Sequence, residues 1–174
     1  MAEIRNIIFD VGDVLIGYRW QEMMADYGLS PEVGNKVGQL MFRDELWHIF
    51  DLGIKTQEEI IDAYKGKYPQ YADIMEWFIS HGSEMPTGRP KVWKRIHELK
   101  EKGYRLYILS NYPEILFHQH TDDKPFIRDM DGIVVSYQMH LAKPDPAIYK
   151  YLTDKYALEP NECLFFDDRE ENVV

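Results

Sequence analysis

The chain has 174 residues, enough to bury a genuine core without disulfide or metal staples. Its net charge of −10 argues against nucleic acid or an anionic membrane surface as a partner. A single cysteine, Cys163, precludes an internal disulfide; with no signal-like apolar N-terminus it suggests a reducing cytoplasm, and no apolar run approaches transmembrane length.

The first apolar run, Ile7-Ile8-Phe9, reads as a strand that ends by Phe9 or Asp10. No second strand signal appears before residues 104–109. Between them lie helix-like stretches at 20–27, 31–42, 56–64 and 70–80. Ser30 before Pro31 reads as an N-cap with Pro at the first helical position, and Thr56-Gln57-Glu58-Glu59 has the spacing of a capping box. Trp47, Trp77 and Phe78 read as core of this helical block rather than as a substrate platform. After Gly88, the amphipathic segment 90–102 predicts the helix that precedes the second strand. A third strand at 132–136, a helix at 146–156 and a fourth strand at 162–166 follow. Cys163 falls in the last strand, where it reads as a small buried hydrophobe rather than a nucleophile. The pattern is that of one modest α/β enzyme, with no internal repeat or low-complexity tract.

Four polar signals punctuate this pattern. They are Asp10 after Ile7-Ile8-Phe9, Ser110 after Leu106-Tyr107-Ile108-Leu109, Lys143 before Pro144, and Asp167-Asp168 after Leu164-Phe165-Phe166. Three of them stand where an apolar strand runs out. In an open α/β sheet ligands bind outside the carboxyl ends of the strands, so these groups converge although over 150 residues separate the first from the last. The chemistry they suit is phosphoryl transfer. A carboxylate is a competent nucleophile toward phosphorus, and Asp10 is the best placed. Its repulsion from a phosphate costs about 4 kcal/mol per unit pair at 4 Å and an effective dielectric of 20, so cations must offset it. Asp167 and Asp168, with Asp10, offer oxygen ligands for Mg²⁺, and Lys143 supplies a second cation. Ser110 supplies a hydroxyl donor, and the amides around Asn111 can cradle a phosphate oxygen. Pro144 favours an extended Lys143, while Asp145 and Pro146 read as N-cap and first residue of the next helix. His118 and His120, spaced i, i+2, do not share a helix face and suggest no metal pair.

The chain resembles the haloacid dehalogenase-like (HAD) hydrolases, most of which are Mg²⁺-dependent phosphatases. Ile7-Ile8-Phe9-Asp10-Val11-Gly12-Asp13-Val14-Leu15 is similar to the first family motif, with Asp10 as nucleophile. Leu109-Ser110-Asn111 is similar to the second, Ala142-Lys143-Pro144-Asp145-Pro146 to the third, and 166–173 to the fourth in its double-aspartate form. The likeness continues through 114–117, 125–128 and 147–151, where it resembles a bacterial branch acting on sugar phosphates such as glucose 1-phosphate. The resemblance implies a Rossmann-like parallel-sheet core, residues 1–16 and 86–174, and a small helical cap, 17–85, inserted after the first strand to close over the site and exclude water. It implies that Tyr18, Arg19 and Trp20 lie in a flap touching a small phosphorylated substrate. It makes Asp10, the Gly12 carbonyl and Asp168 direct Mg²⁺ ligands, with Asp167 acting through water. It also implies a helix, a strand and a closing helix beyond Val174. The C-terminal part of the core is then missing and the 162–166 strand is an exposed edge; either the natural product is longer or a partner covers that edge.

One position departs from the commonest family pattern. Most family phosphatases carry a second Asp two residues after the nucleophile, which protonates the leaving group and later activates water; here it is Gly12. A positioned acid and base contributes roughly 10²–10⁴-fold. Its loss predicts a strong dependence on leaving-group quality. Asp13 is the first substitute to examine, although adjacent residues on an extended segment point to opposite sides. Two other readings remain: a 2-haloacid dehalogenase, which needs no metal and hence no double carboxylate, and a catalytically weak binding or regulatory protein, favoured by Gly12. Phosphate release in Mg²⁺ separates the first reading from both, and halide release isolates the dehalogenase. Oligomeric state is not legible.

Overall fold

The computed structural model describes residues 3–173, so residues 1, 2 and 174 of the expected core lie outside the described residues. In chain order the elements are β1 (Asn6–Phe9), β2 (Gly17–Tyr18), α1 (Trp20–Asp26), α2 (Pro31–Phe42), α3 (Glu45–Asp51), α4 (Gln57–Lys67) and α5 (Ala72–Ser80). They continue with β3 (Pro86–Thr87), α6 (Pro90–Glu101), β4 (Arg105–Ser110), α7 (Glu114–Thr121), β5 (Gly132–Val135), α8 (Pro146–Tyr156) and β6 (Cys163–Phe166). Four strands form a parallel sheet in the order β5-β4-β1-β6. Ile7 lies opposite Leu106 on one side of β1 and Leu164 on the other.

The strands are apolar nearly throughout because both faces are covered. Ile7, Phe9, Leu106 and Ile108 face a large core shared with α6 and the helical block. Ile8, Tyr107, Leu109 and Val134 face the other way, onto Ile148 and Leu152 of α8. Each fully buried side chain of that kind contributes about 1.5–3 kcal/mol. The strand β6 is an edge among the described residues, with Leu164 and Phe166 more than two-fifths exposed. Cys163 is correspondingly half-buried rather than buried.

Local signals account for several boundaries. Ser30 Oγ accepts from the Val33 amide, the Thr56–Glu59 capping box is present, and Asp145 Oδ1 accepts from the Ala147 amide at 2.9 Å. The segment 70–80 begins as a 3₁₀ turn, Pro69–Tyr71, before α5. Three further elements have no period to reveal them. The strands β2 and β3 are two residues each and exist through their antiparallel pairing, Gly17 with Thr87 and Tyr18 with Pro86. The expectation that no strand intervenes between β1 and residues 104–109 is corrected accordingly. The helix α3 has seven residues and starts on Asp44, whose Oδ1 accepts from the Leu46 amide at 3.0 Å. The α1–α5 block lies between β2 and β3, and its buried Met23, Met41, Tyr64 and Phe78 are continuous with the sheet core. No described helix is long and apolar enough to cross a membrane.

Candidate active site

Asp10 extends β1 by one residue, its amide donating to the Phe166 carbonyl at 2.8 Å. Its buried Oδ1 accepts from Ser110 Oγ at 2.6 Å and pairs with Lys143 Nζ at 2.9 Å. Lys143 is 4% exposed and also reaches Asp167 Oδ2 at 2.5 Å. Asn111 fixes this lysine through its backbone: Asn111 Nδ2 donates to the Lys143 carbonyl at 2.9 Å and Asn111 Oδ1 accepts from the Lys143 amide at 2.8 Å. The Asn111 side chain is therefore occupied in positioning Lys143. Asp167 Oδ1 accepts from the Arg169 amide and from Asn172 Nδ2, both at 2.9 Å. Asn172 is 5% exposed and was not singled out from sequence. Its signal was only its place inside the fourth motif.

Oxygens of Asp10, Asp167 and Asp168 all lie within 4.8 Å of one another. Desolvation raises the Asp10 carboxyl above its ordinary range, against Lys143 and Ser110, which hold it down. Burial, then the neighbouring Asp167 charge, raises Asp168. Three carboxylates around one ammonium leave an excess of negative charge. An oxygen-only donor set of this kind fits a hard divalent cation.

Gly12 lines the same cavity as Asp10. A Cβ built there would stand 2.7 Å from Tyr18 Oη, so the tyrosine ring takes the space a side chain would need. The Tyr18 hydroxyl lies 2.7 Å from the Tyr112 hydroxyl, which is 2.6 Å from His120 Nδ1; His120 Nε2 is 2.8 Å from the Gly82 carbonyl. A carbonyl only accepts, so Nε2 carries the hydrogen. Burial pushes His120 down to about 4, and a neutral ring then presents Nδ1 as an acceptor. Tyr112 donates to Nδ1, and Tyr18 donates to Tyr112. His120 thus belongs to a buried relay, while His118 is exposed beside Asp122. The stretch after Asp10 is pinned by Arg89, which donates to the Asp13 and Val14 carbonyls, and by Trp93 Nε1, which donates to the Leu15 carbonyl at 2.6 Å.

The cavity over Asp10 measures about 680 Å³. Its floor includes Asn111, Lys143 and Asp168, and its wall includes Trp20, Trp47 and Asp51 from the helical block. Trp47 therefore lines the site as well as packing edge-on against Phe42 and Phe50. Trp77 stacks on His81, and Phe78 is buried. Arg19 ion-pairs with Asp26 of α1 and is not among the residues lining the cavity. Asp51 and Arg169 line it too; no sequence signal marked Asp51, and Arg169 had only its place inside the fourth motif.

A family model described as haloacid dehalogenase-like hydrolase matches residues 4–173. The chain belongs to that family. It is therefore a hydrolase on a Rossmann-like core. A drimenol cyclase of Aspergillus calidoustus is 25% identical over 98% of the chain, which spans only 32% of that protein. A sesquiterpene phosphatase of Aspergillus oryzae is 27% identical over 96% of the chain and 82% of its own length. Among solved structures, a HAD family enzyme of Bacteroides thetaiotaomicron in complex with magnesium and inorganic phosphate superposes with a TM-score of 0.72. It is 25% identical over 97% of this chain and 87% of that one.

Proposed function

We propose that this hydrolase is a Mg²⁺-dependent phosphatase of small phosphorylated metabolites, with sugar phosphates as the substrate class, acting through an aspartyl-phosphate on Asp10. The observation that carries the reading is the Asp10 carboxylate, held by Ser110 and Lys143 beside Asp167 and Asp168. The relatives described as a phosphatase and as a magnesium and phosphate complex support it. The cavity volume falls within the range of small-molecule sites.

Ser110 and Lys143 both bond Asp10 Oδ1, which orients the carboxylate for attack on phosphorus. Lys143 offsets part of the repulsion between carboxylate and phosphate, and Asp167 with Asn172 holds Lys143 at that point. Asp10, the Gly12 carbonyl and Asp168, with Asp167 alongside, would hold Mg²⁺, which would supply further neutralisation of the transferring phosphoryl group. The helical block, 17–85, serves as the cap that excludes water, and Tyr18 and Trp20, which line the cavity, form its contact with substrate, whereas Arg19 is turned to Asp26. The metal-free dehalogenase reading has no use for the clustered carboxylates.

The test is phosphate release from a panel of phosphorylated metabolites with and without Mg²⁺, alongside Asp10→Asn. The variant removes the nucleophile and almost no volume, so it should lose roughly 10³-fold or more in turnover while keeping the wild-type circular dichroism spectrum and Tm within a few degrees. Halide release from 2-haloacids without phosphate release would overturn the reading.

A further inference from the structure

Gly12 leaves the reaction without an acid at the family's usual position, and of the other titratable side chains lining the cavity, Glu45, His48 and Glu171 are exposed to solvent. Tyr18 occupies the empty space, but its hydrogen points away: the relay through Tyr112 to His120 commits it to the Tyr112 oxygen. Partial burial raises the Asp13 carboxyl, against the Arg89 charge, but Asp13 is exposed to solvent and so is poorly shielded for directed proton transfer. Asp44 is engaged as the α3 cap and by Lys67 and Tyr68.

Asp51 differs from these. It ends α3, lines the same cavity as Asp10 and Lys143, and its half-buried carboxyl makes no hydrogen bond among the described residues. Its place is nonetheless fixed by the backbone around it. Ser136 Oγ, at the end of β5, donates to the Asp51 carbonyl, and His140 Nδ1 lies 2.7 Å from the Leu52 carbonyl. Gly53 follows with φ of 65°, and a Cβ there would meet Tyr137 at 2.9 Å, so the helix end closes directly onto the core. Ser136 Oγ also accepts from the Tyr112 amide at 2.9 Å, which ties Asp51 to the loop after β4.

We propose that Asp51 is the general acid of this enzyme, protonating the leaving oxygen as phosphoryl transfers to Asp10, and then the base that activates water. The assignment rests on the phosphatase reading above. In the first step an Asp10 oxygen bonds to phosphorus, the bond from phosphorus to the leaving oxygen breaks, and the Asp51 proton passes to that oxygen. In the second, the Asp51 carboxylate takes a proton from water, whose oxygen bonds to phosphorus as the bond to Asp10 breaks. Inorganic phosphate leaves, and both aspartates return to their starting states. Burial first, and then the Asp10 charge, push Asp51 up to about 8, against Arg169 and Lys143, so it holds a proton to give at neutral pH.

The experiment compares kcat/KM, which reports only through departure of the leaving group, over aryl phosphates from p-nitrophenyl to p-methoxyphenyl. Wild type should show a shallow dependence on leaving-group pKa. Asp51→Asn should lose about 10²-fold on phenyl phosphate and far less on p-nitrophenyl phosphate. It should also give a stoichiometric burst of p-nitrophenolate, because the stranded aspartyl-phosphate lacks its base. Asp51→Glu, which keeps an acid, should restore the shallow dependence and controls for folding. Equal slopes in wild type and Asp51→Asn, with p-nitrophenyl phosphate still hydrolysed, would overturn the Asp51 assignment alone. Absence of phosphate release from every ester by wild type would remove the phosphatase reading and this inference with it.

Discussion

Lys143 is the residue on which the charge balance of the site turns. It is buried between Asp10 and Asp167, and a buried ion whose partner is removed is left uncompensated. The two adjacent aspartates therefore have different work. Asp167 faces inward to Lys143, and Asp168 is exposed toward the cavity. Asp167→Ala should lower unfolding stability by about 3 kcal/mol, as expected for breaking a buried pair. Asp168→Ala should stay within about 0.5 kcal/mol of wild type. Mg²⁺ affinity, followed by calorimetric titration, should fall more steeply in Asp168→Ala. Denaturant unfolding of the metal-free proteins checks the first two values. The sequence placed both carboxylates at a strand end but did not assign Asp167 to the lysine, because that depends on which way each side chain leaves an edge strand.

At the scale of elements, short-range signals and long-range contacts divide the work. The helix α4 is specified locally: Thr56 Oγ1 accepts from the Glu59 amide and Glu59 Oε2 accepts from the Thr56 amide at 2.8 Å. Thr56→Ala should cost about 1 kcal/mol, read as a lowered Tm with catalytic rate unchanged. The helix α3 is too short for a periodic signature, yet it carries Trp47 and Asp51 into the cavity. Its position comes from Asp44 at one end and from Ser136 and His140 at the other. Those bonds close over 85 and 88 residues, beyond any window of local pattern.

Over the whole molecule, the Tyr18–Tyr112–His120 relay binds the start of the helical block, the loop after β4 and the Gly82 carbonyl into one unit. It makes stability depend on pH. His120 falls from 6.5 to about 4 on folding, so below its unfolded value the unfolded chain binds the proton more strongly. This contribution is present in full above pH 6.5 and is lost as pH falls toward 4. The stability difference between wild type and His120→Gln should shrink by about 2 kcal/mol between pH 7.5 and pH 5, with other titrations cancelling in the difference. Denaturant midpoints at the two pH values provide the check, and an unchanged difference would mean that folding does not shift the imidazole.

The sequence by itself determined the sheet strands to within a residue or two, the capped helices, and the order of Asp10, Ser110, Lys143 and Asp167-Asp168 along the chain. Apolar runs, capping residues and prolines act over a few positions, so a linear reading recovers them. The tertiary structure alone decided that Tyr18 fills the space above Gly12, that Asn111 and Asn172 hold Lys143 and Asp167, that Arg19 turns to Asp26, and that Asp51 lines the same cavity as Asp10. Each of these depends on side chains from distant segments competing for one volume and one set of hydrogen bonds, and that competition exists only once the chain has folded.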